Sequence, residues 1–383
     1  MRKLRTRIGE SFHLLLFIIS KILTFFIKEK DLWLISERGH EARDNAYVFF
    51  RFLVLNYPHI NAWYIIDHTS PDIEKLSFAK TRIIDYGSFK HYCFLSRAKY
   101  LISTHIMGFS PDINLFTSLD RHFRVFRNQK RVFLQHGIIK DDIPFLYAEN
   151  VTLDLFCCGG WHEYNYILEN YHHPKDVVKY TGLARYDLLN SFSSKKQVLI
   201  MPTWRLYLNK DSFEDSELFL HYKQLLTSPL LSELLQQYGY EVVFYPHYEM
   251  QTYIQSFRRL KVHHAIHIAG FEYDVQQLLK ESCLLITDYS SVYFDMAYMH
   301  KPVLFYHFDE QKFRQDHYKR GYFYESSIGV ISYNLASLLV HLEEALQSSC
   351  KLDDKYISYI DSFFKYRDSN NCERIFESIC NLS

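Results

Sequence analysis

The sequence predicts an α/β protein made of two doubly wound parallel sheets, and three observations predict it. Short apolar runs alternate with amphipathic stretches along most of the 383 residues, the pattern of strands joined by crossover helices. A polar break, Ser191 to Lys196, separates two rounds of that alternation. Several of the runs end in hydroxyl, histidine or arginine side chains, and in open parallel sheets ligands bind beyond the carboxyl ends of the strands. The length suffices for two domains of ordinary size.

Residues 1–30 come first. Arg2, Lys3, Arg5 and Arg7 precede the apolar run Phe12 to Ile27, which Lys21 interrupts. The run falls short of the roughly 20 apolar residues a spanning helix needs, and no small-residue cleavage site follows it. A basic flank beside an apolar helix fits a segment lying on an anionic membrane surface; a helix packed on the first domain is the other reading.

The first domain is expected over 31–192. Leu32 to Ile35, Ala62 to Ile66, Arg82 to Ile84, Tyr100 to Ile102, Val132 to Leu134 and Leu153 to Cys157 read as strands. Asn45 to Leu55, Phe89 to Arg97 and Glu163 to Asn170 read as helices. The second domain, 193–383, repeats the scheme. Strands are expected at Val198 to Met201, Glu241 to Tyr245, Val262 to Ile268, Leu284 to Ile286 and Val303 to Tyr306, and helices at Glu217 to Tyr238, Val275 to Lys280, Ser291 to Met299 and Leu335 to Ser348. Two Rossmann-like domains facing a cleft make a GT-B-like architecture.

Composition excludes several classes. Formal net charge is zero and the pI near 7.3, so no global field draws the chain to nucleic acid. Seven cysteines contain the adjacent pair Cys157-Cys158 but no C-x-x-C, which speaks against a disulfide framework or a zinc site and for a cytosolic chain. No P-loop, G-x-G-x-x-G or G-x-S-x-G occurs, against kinase, dehydrogenase and α/β-hydrolase readings. His263 and His267 stand four apart, a metal spacing only on a helix, whereas V-H-H-A-I-H-I alternates like a strand. No D-x-D is available to hold a divalent ion on a nucleotide diphosphate.

The stretch Leu284 to Asp309 carries the strongest chemical signal. A buried strand runs into Thr287-Asp288-Tyr289-Ser290-Ser291 and then a helical pattern stopped at Lys301-Pro302. A strand, a hydroxyl-rich turn and a helix start converge free N–H groups on one point, so Asp288 to Ser291 is a candidate phosphate site, with simple helix capping as the bland alternative. His136, directly after a predicted strand and before Gly137, is placed to face the cleft as a general base for a hydroxyl, or to bond a backbone carbonyl as an ordinary loop histidine. Thr203 and Arg205 follow the first strand of the second domain, where arginine gives bidentate phosphate contact.

Taken together, T-D-Y-S-S, Phe294-Asp295, Lys301-Pro302, R-G-Y-F-Y at Arg320 to Tyr324, H-G at His136, G-L-A-R-Y-D at Gly182 to Asp187, P-T-W-R at Pro202 to Arg205 and P-H at Pro246-His247 resemble the CDP-glycerol glycerophosphotransferase family of teichoic-acid synthesis. Asp44-Asn45 and Tyr273-Asp274 are further matches, and the resemblance covers about residues 30 to 345. Where the family has K-P-H-P, this chain has Tyr245 and Tyr248 at the flanks.

The resemblance implies a bacterial, metal-independent phosphotransferase, without cofactor, held peripherally on the cytoplasmic face of the cell membrane. It would pass glycerol phosphate from CDP-glycerol to a hydroxyl of a lipid-linked saccharide or of a growing polyol-phosphate or capsular chain, releasing CMP. His136 would be the base and His247 a pyrophosphate contact or leaving-group stabiliser. Thr203, Arg205, Asp288, Ser290 and Ser291 would hold the donor's pyrophosphate, and Arg185 and Lys140 are candidate acceptor contacts, Arg185 alternatively pairing with Asp187. CDP-ribitol as donor, a nucleotide-sugar glycosyltransferase on the same fold, and a non-catalytic membrane scaffold are the competing readings.

Overall fold

The computed structural model describes residues 2–23, 31–208 and 210–382. The chain forms two compact units, one of Met1–Ile138, Pro144–Asp187 and Tyr366–Ser383, the other of Ile139–Ile143 and Leu188–Lys365.

The first unit holds a seven-stranded sheet of β1 (Trp33–Ser36), β2 (Ala62–Ile66), β3 (Ile83–Asp85), β4 (Tyr100–Ser103), β5 (Lys130–Phe133), β6 (Leu155–Cys158) and β7 (Val178–Tyr180). All neighbours pair parallel in the order β3-β2-β1-β4-β5-β6-β7. The strand order reverses between β1 and β4, where Leu34 pairs with Leu101 and Ile35 with Ile102. β1, β4 and β6 are buried throughout, which is why they read as continuous apolar runs rather than alternating ones. β7 and the helix Ile113–Phe123 were not expected. The helix carries a wet face, and only Phe116 of it is fully buried, so its apolar signal is thin.

The second unit holds β8 (Gln197–Met201), β9 (Glu241–Phe244), β10 (Ile266–Ile268), β11 (Leu284–Thr287), β12 (Val303–Tyr306) and β13 (Val330–Ser332). They pair parallel in the order β10-β9-β8-β11-β12-β13, reversing between β8 and β11. The helix expected over 217–238 is two, Glu217–Leu226 and Pro229–Tyr238. Ser228 accepts from Leu231 N–H and Pro229 takes the first turn, because proline fits a helix start and breaks its interior. The strand expected from Val262 shrinks to Ile266–Ile268; His263 Nδ1 instead accepts from Ala265 N–H in a turn.

Two boundaries differ from the expected 31–192 and 193–383. The C-terminal helix Asn371–Cys380 returns to the first unit, burying Cys372, Ile375 and Ile379 in its core. Asp187 secures it, accepting from Asn371 N and Nδ2 and from Cys372 N at 2.7–2.9 Å. Gly182, at φ +75°, sits so close that a Cβ would lie 1.9 Å from Asn371 Oδ1. The other departure is Ile139–Ile143, which follows His136 and Gly137 and belongs to the second unit.

Of the N-terminal segment, Arg2–Leu23 is helical and residues 24–30 lie outside the described part. One face packs on helix Phe89–Arg97: Phe17 is buried and Ser20 Oγ bonds Ser96 Oγ at 2.7 Å. Phe12, Leu15 and Ile22 stay exposed on the helix. Among the described residues no helix is long and apolar enough to cross a membrane.

Candidate active site

In each unit the candidate residues gather where the strand order reverses, at the carboxyl ends of the strands. In the first unit β5 ends at Phe133, and the chain turns through Gln135 at φ +60°, a left-handed conformation that costs a non-glycine residue about 1 kcal/mol or more. The strained turn leaves Gln135 buried and the His136 side chain exposed. Neighbours fix the turn. Gln135 Nε2 donates to Cys157 O at 2.5 Å, and Asn45 Nδ2 donates to Gln135 O at 2.8 Å. Arg185 Nη1 donates both to His136 O at 2.9 Å and to Asp44 Oδ1 at 2.8 Å.

Arg185 is therefore corrected. Its side chain is buried and its partner is Asp44, not Asp187; it holds the His136 loop rather than waiting for an acceptor phosphate. Asp187 is occupied by the C-terminal helix. Lys140 is corrected too. It is buried, with Nζ 3.0 Å from Asp141 Oδ2 and 3.4 Å from Glu325 Oε1. Arg314 and Arg320 reach the same buried Glu325, so within the second unit Lys140 belongs to a compensated ion network.

Beside His136 stand residues that strand-end reasoning could have found and did not. The His105 ring, two residues past β4, stacks on His136 with centroids 4.6 Å apart and planes 13° from parallel. Arg38 Nε, two residues past β1, donates to His105 Nε2 at 2.9 Å, and Thr104 Oγ1 lies 2.9 Å from its Nδ1. Burial, then the neighbouring His136 and Arg38 charges, push the His105 pKa down to about 2. His105 is a neutral shelf for the exposed imidazole. Glu37 lies underneath, fully buried and accepting from Arg43, Asp44 and Tyr47 N–H groups at the start of helix Asn45–Asn56. Burial and the Asp44 charge raise its pKa to about 8.

In the second unit the turns after β8 and β11 are tied together. Asp288 Oδ1 accepts from Thr203 N at 2.9 Å and Tyr289 N at 2.7 Å, while Oδ2 accepts from Arg205 Nη2 at 2.8 Å and Tyr222 OH at 3.2 Å. Arg205 also gives Nε and Nη2 to Asp309 at 2.7 and 3.1 Å and Nη1 to Thr203 O at 2.7 Å. Arg205 and Asp288 are wholly buried, and the guanidinium lies 4.8 Å from the Tyr289 ring centroid. Burial opposes the Arg205 charge, but Asp288 and Asp309 more than offset it and raise its pKa further.

Both residues are corrected on this geometry. Arg205 is buried with Nε and Nη2 on carboxylates and Nη1 on the Thr203 carbonyl, and Asp288 is buried under the turn. Both fix the turns after β8 and β11.

The remaining candidates are Thr203, His247, Ser290 and Ser291. Neither serine caps the helix that follows: it begins only at Tyr293, and Ser290 Oγ accepts from Val292 N–H at 3.4 Å. Among the described residues the N–H groups of Ser290 and Ser291 and the Ser291 hydroxyl have no hydrogen-bond partner. Thr203 Oγ1 is likewise buried without one. His247 N–H donates to Pro202 O at 3.2 Å, which brings it beside the P-T-W-R turn. Its Nδ1 accepts from Glu249 N–H at 3.3 Å, so the neutral ring carries its proton on Nε2 and can donate it. Trp204 packs under the site, stacked 6.2 Å from Tyr253. The His263 and His264 rings pack against each other with centroids 4.0 Å apart. The ligand-type trio that comes together among the described residues is Asp67, His68 and Asp85, a partly exposed group remote in sequence from these turns.

Two doubly wound parallel units with polar residues at both switch points define the GT-B-like class of α/β proteins. The chain belongs to the CDP-glycerol:poly(glycerophosphate) glycerophosphotransferase family, which matches residues 16–145 and 176–381. It is 31% identical over 380 residues to the minor teichoic acid biosynthesis protein GgaB of Bacillus subtilis (strain 168), covering 95% of this chain and 41% of GgaB. The chain thus spans about two fifths of that relative's length. Its fold is similar to the wall teichoic acid polymerase TagF, with TM-score 0.65 at 16% identity over 99% of this chain and 98% of that one. A UDP-GlcNAc 2-epimerase from Neisseria meningitidis shares it more distantly, with TM-score 0.53 at 11% identity over 91% and 99% of the two chains.

Proposed function

We propose that this chain transfers glycerol phosphate from CDP-glycerol to a hydroxyl of a cell-envelope acceptor, with His136 as general base. The observation that carries the reading is the His136 side chain, exposed by a strained turn and backed by a histidine held neutral. A neutral imidazole in such a setting takes a proton from the acceptor hydroxyl, whose oxygen forms a bond to the glycerol-bearing phosphorus. The P–O bond to CMP breaks in the same displacement, and CMP leaves with the electron pair. Ser290, Ser291 and Thr203 supply unpartnered donors for the pyrophosphate, and His247 Nε2–H would donate to the departing phosphate. Arg205 and Asp288 act beneath them by fixing the two turns. No step calls for a metal.

Family membership supports the reaction class, and a soak of TagF with CDPG makes CDP-glycerol the first donor to try. The acceptor is proposed as a lipid-linked saccharide or polyol-phosphate chain. The protein is proposed to lie peripherally on the cytoplasmic face of a bacterial membrane, since Phe12, Leu15 and Ile22 are exposed on a helix whose sequence has four basic residues among its first six. Loss of membrane-fraction binding on deleting residues 2–23 is expected; retention would overturn that part.

CMP release is the test of donor and class, measured with CDP-glycerol, CDP-ribitol and UDP-glucose in parallel over membrane lipid extract, with and without EDTA. EDTA-resistant release from CDP-glycerol is expected. Release from CDP-ribitol alone would change the polyol, and UDP release would move the chain to the glycosyltransferases. Binding of the donors without turnover by any of them would leave a scaffold.

A further inference from the structure

We infer that the first unit carries a separate binding site for the acidic acceptor, a chain of phosphodiesters, in an arginine-lined cavity. This rests on the phosphotransfer reading above and extends it to the acceptor.

The cavity measures about 830 Å3 and lies between helix Ile113–Phe123, the turn that follows it and the loop Glu149–Asp154. Its basic residues are Arg121, Arg124, Arg127, Lys130 and Arg131. Its acidic ones are Asp120, Glu149 and Asp154. Two of the acidic groups are in ion pairs, Asp120 with Arg131 and Asp154 with Lys130, and Glu149 is hydrogen-bonded to His172. Arg121, Arg124 and Arg127 are exposed, and their guanidinium groups have no hydrogen-bond or ion-pair partner among the described residues. Their three-residue spacing runs along one wall, with Arg124 in a left-handed C-cap at φ 48°. Three uncompensated cations around one hollow call for an anion.

A second observation points the same way. Arg131 is buried, yet its Nε has no hydrogen-bond partner, and a buried donor left so invites a ligand. Arg131 lines both the cavity and a smaller pocket beside it. The two share Ile106, Met107, Arg131, Val151 and Thr152, and the smaller one also touches His105.

Size favours a chain over a single ion. A phosphate of five heavy atoms, at roughly a water's ~30 Å3 each, fills only about a fifth of the space. A flexible phosphodiester chain would contact the arginines one after another. Such contacts are sequence-independent and salt-sensitive, as suits a polymer that grows by identical units.

The test is fluorescence anisotropy of the full chain with a labelled synthetic glycerol-phosphate oligomer, without any donor, over a salt series. Variants are the Arg121→Gln, Arg124→Gln, Arg127→Gln triple and the corresponding triple to Lys, both checked for unchanged thermal unfolding. Salt-sensitive binding by the parent chain is expected, weakened at least about tenfold in the Gln triple, since each exposed ionic contact is worth roughly a factor of two to five. The Lys triple should recover most of it. In turnover, the Gln triple should raise KM for the oligomer while leaving KM for the donor in place. Equal oligomer binding by parent and Gln triple overturns the proposal. So does loss confined to vesicles of phosphatidylcholine with phosphatidylglycerol, which would make the patch a lipid contact. Because binding is read without donor, a wrong donor assignment would leave this result standing, and the two ideas fail separately.

Discussion

Replacing Asp309 with asparagine tests whether Arg205 is a scaffold or a substrate contact. Asp309 is buried and accepts from Arg205 Nε and Nη2, from Tyr207 OH and from Tyr289 OH at 3.3 Å. Burial alone would raise its pKa, but the Arg205 hydrogen bonds and charge outweigh that and hold it below the usual carboxylate range. Asparagine keeps the shape, removes the charge and turns an N–H2 towards a guanidinium that can only donate. Asp288 then faces the cation alone, with the Tyr289 and Phe313 rings around it. Breaking a buried ion pair on one side costs about 3–5 kcal/mol. For a unit of this size each kcal/mol lowers the melting temperature by roughly 2–4 °C, so a fall of about 6–20 °C is expected. Differential scanning calorimetry of the full chain reads it, beside the donor KM at a temperature where the variant remains folded. A melting temperature within a few degrees of the parent, together with a raised donor KM, would show that Arg205 is not committed to its carboxylates and restore it as a phosphate ligand.

Further predictions follow from the same geometry. His91 is fully buried, accepting from Gly87 N–H at 3.1 Å with Nε2 2.8 Å from Phe109 O, and burial lowers its pKa from 6.5 to about 4. The unfolded chain therefore binds a proton that the folded one refuses, and stability present above pH ~6.5 is lost as pH falls towards 4, by up to about 3 kcal/mol; His91→Gln should flatten that slope in urea titrations, and an unchanged slope would count against it. Lys301 of the K-P element donates to the carbonyls of Leu279, Lys280 and Ser282 at 2.7–2.9 Å. Lys301→Met should cost about 1.5–3 kcal/mol in urea unfolding with KM for the donor unmoved. Arg38→Met removes the donor to His105 and should lower turnover roughly ten- to hundredfold through misplacement of the His136 ring, leaving donor binding by calorimetry intact; unchanged turnover would relieve His105 of its positioning role.

Much of the fold was legible because parallel strands buried on both faces leave an unbroken apolar run. Ala62–Ile66, Val303–Tyr306 and the helix Phe89–Arg97 fall where the sequence puts them. β7 and β13 are three residues each with partly wet faces, too short for a period to show. The return of the last helix to the first unit depends on Asp187 meeting Asn371 and Cys372, a pairing across 184 residues that no local pattern announces.

For the site, the strand-end rule reached His136, Thr203, Ser290 and Ser291. Applied to β1 and β4 it also finds Arg38 and His105, since S-E-R and S-T-H stand where H-G stands after β5. What the rule misses is which charges are already spent. Arg205, Asp288, Arg185 and Lys140 each look free in the sequence and are each claimed by a partner distant along the chain. An arginine beside a strand end is attractive to phosphate and to carboxylate alike, and only the folded partner list decides between them.

The most direct measurement of the central claim is single-turnover CMP release from CDP-glycerol by the parent chain and by His136→Gln, with oligomeric acceptor present and both proteins verified as folded. Loss of roughly two to four orders of magnitude, with donor binding retained, is the result the account predicts. Release at the parental rate by a folded His136→Gln protein would contradict it.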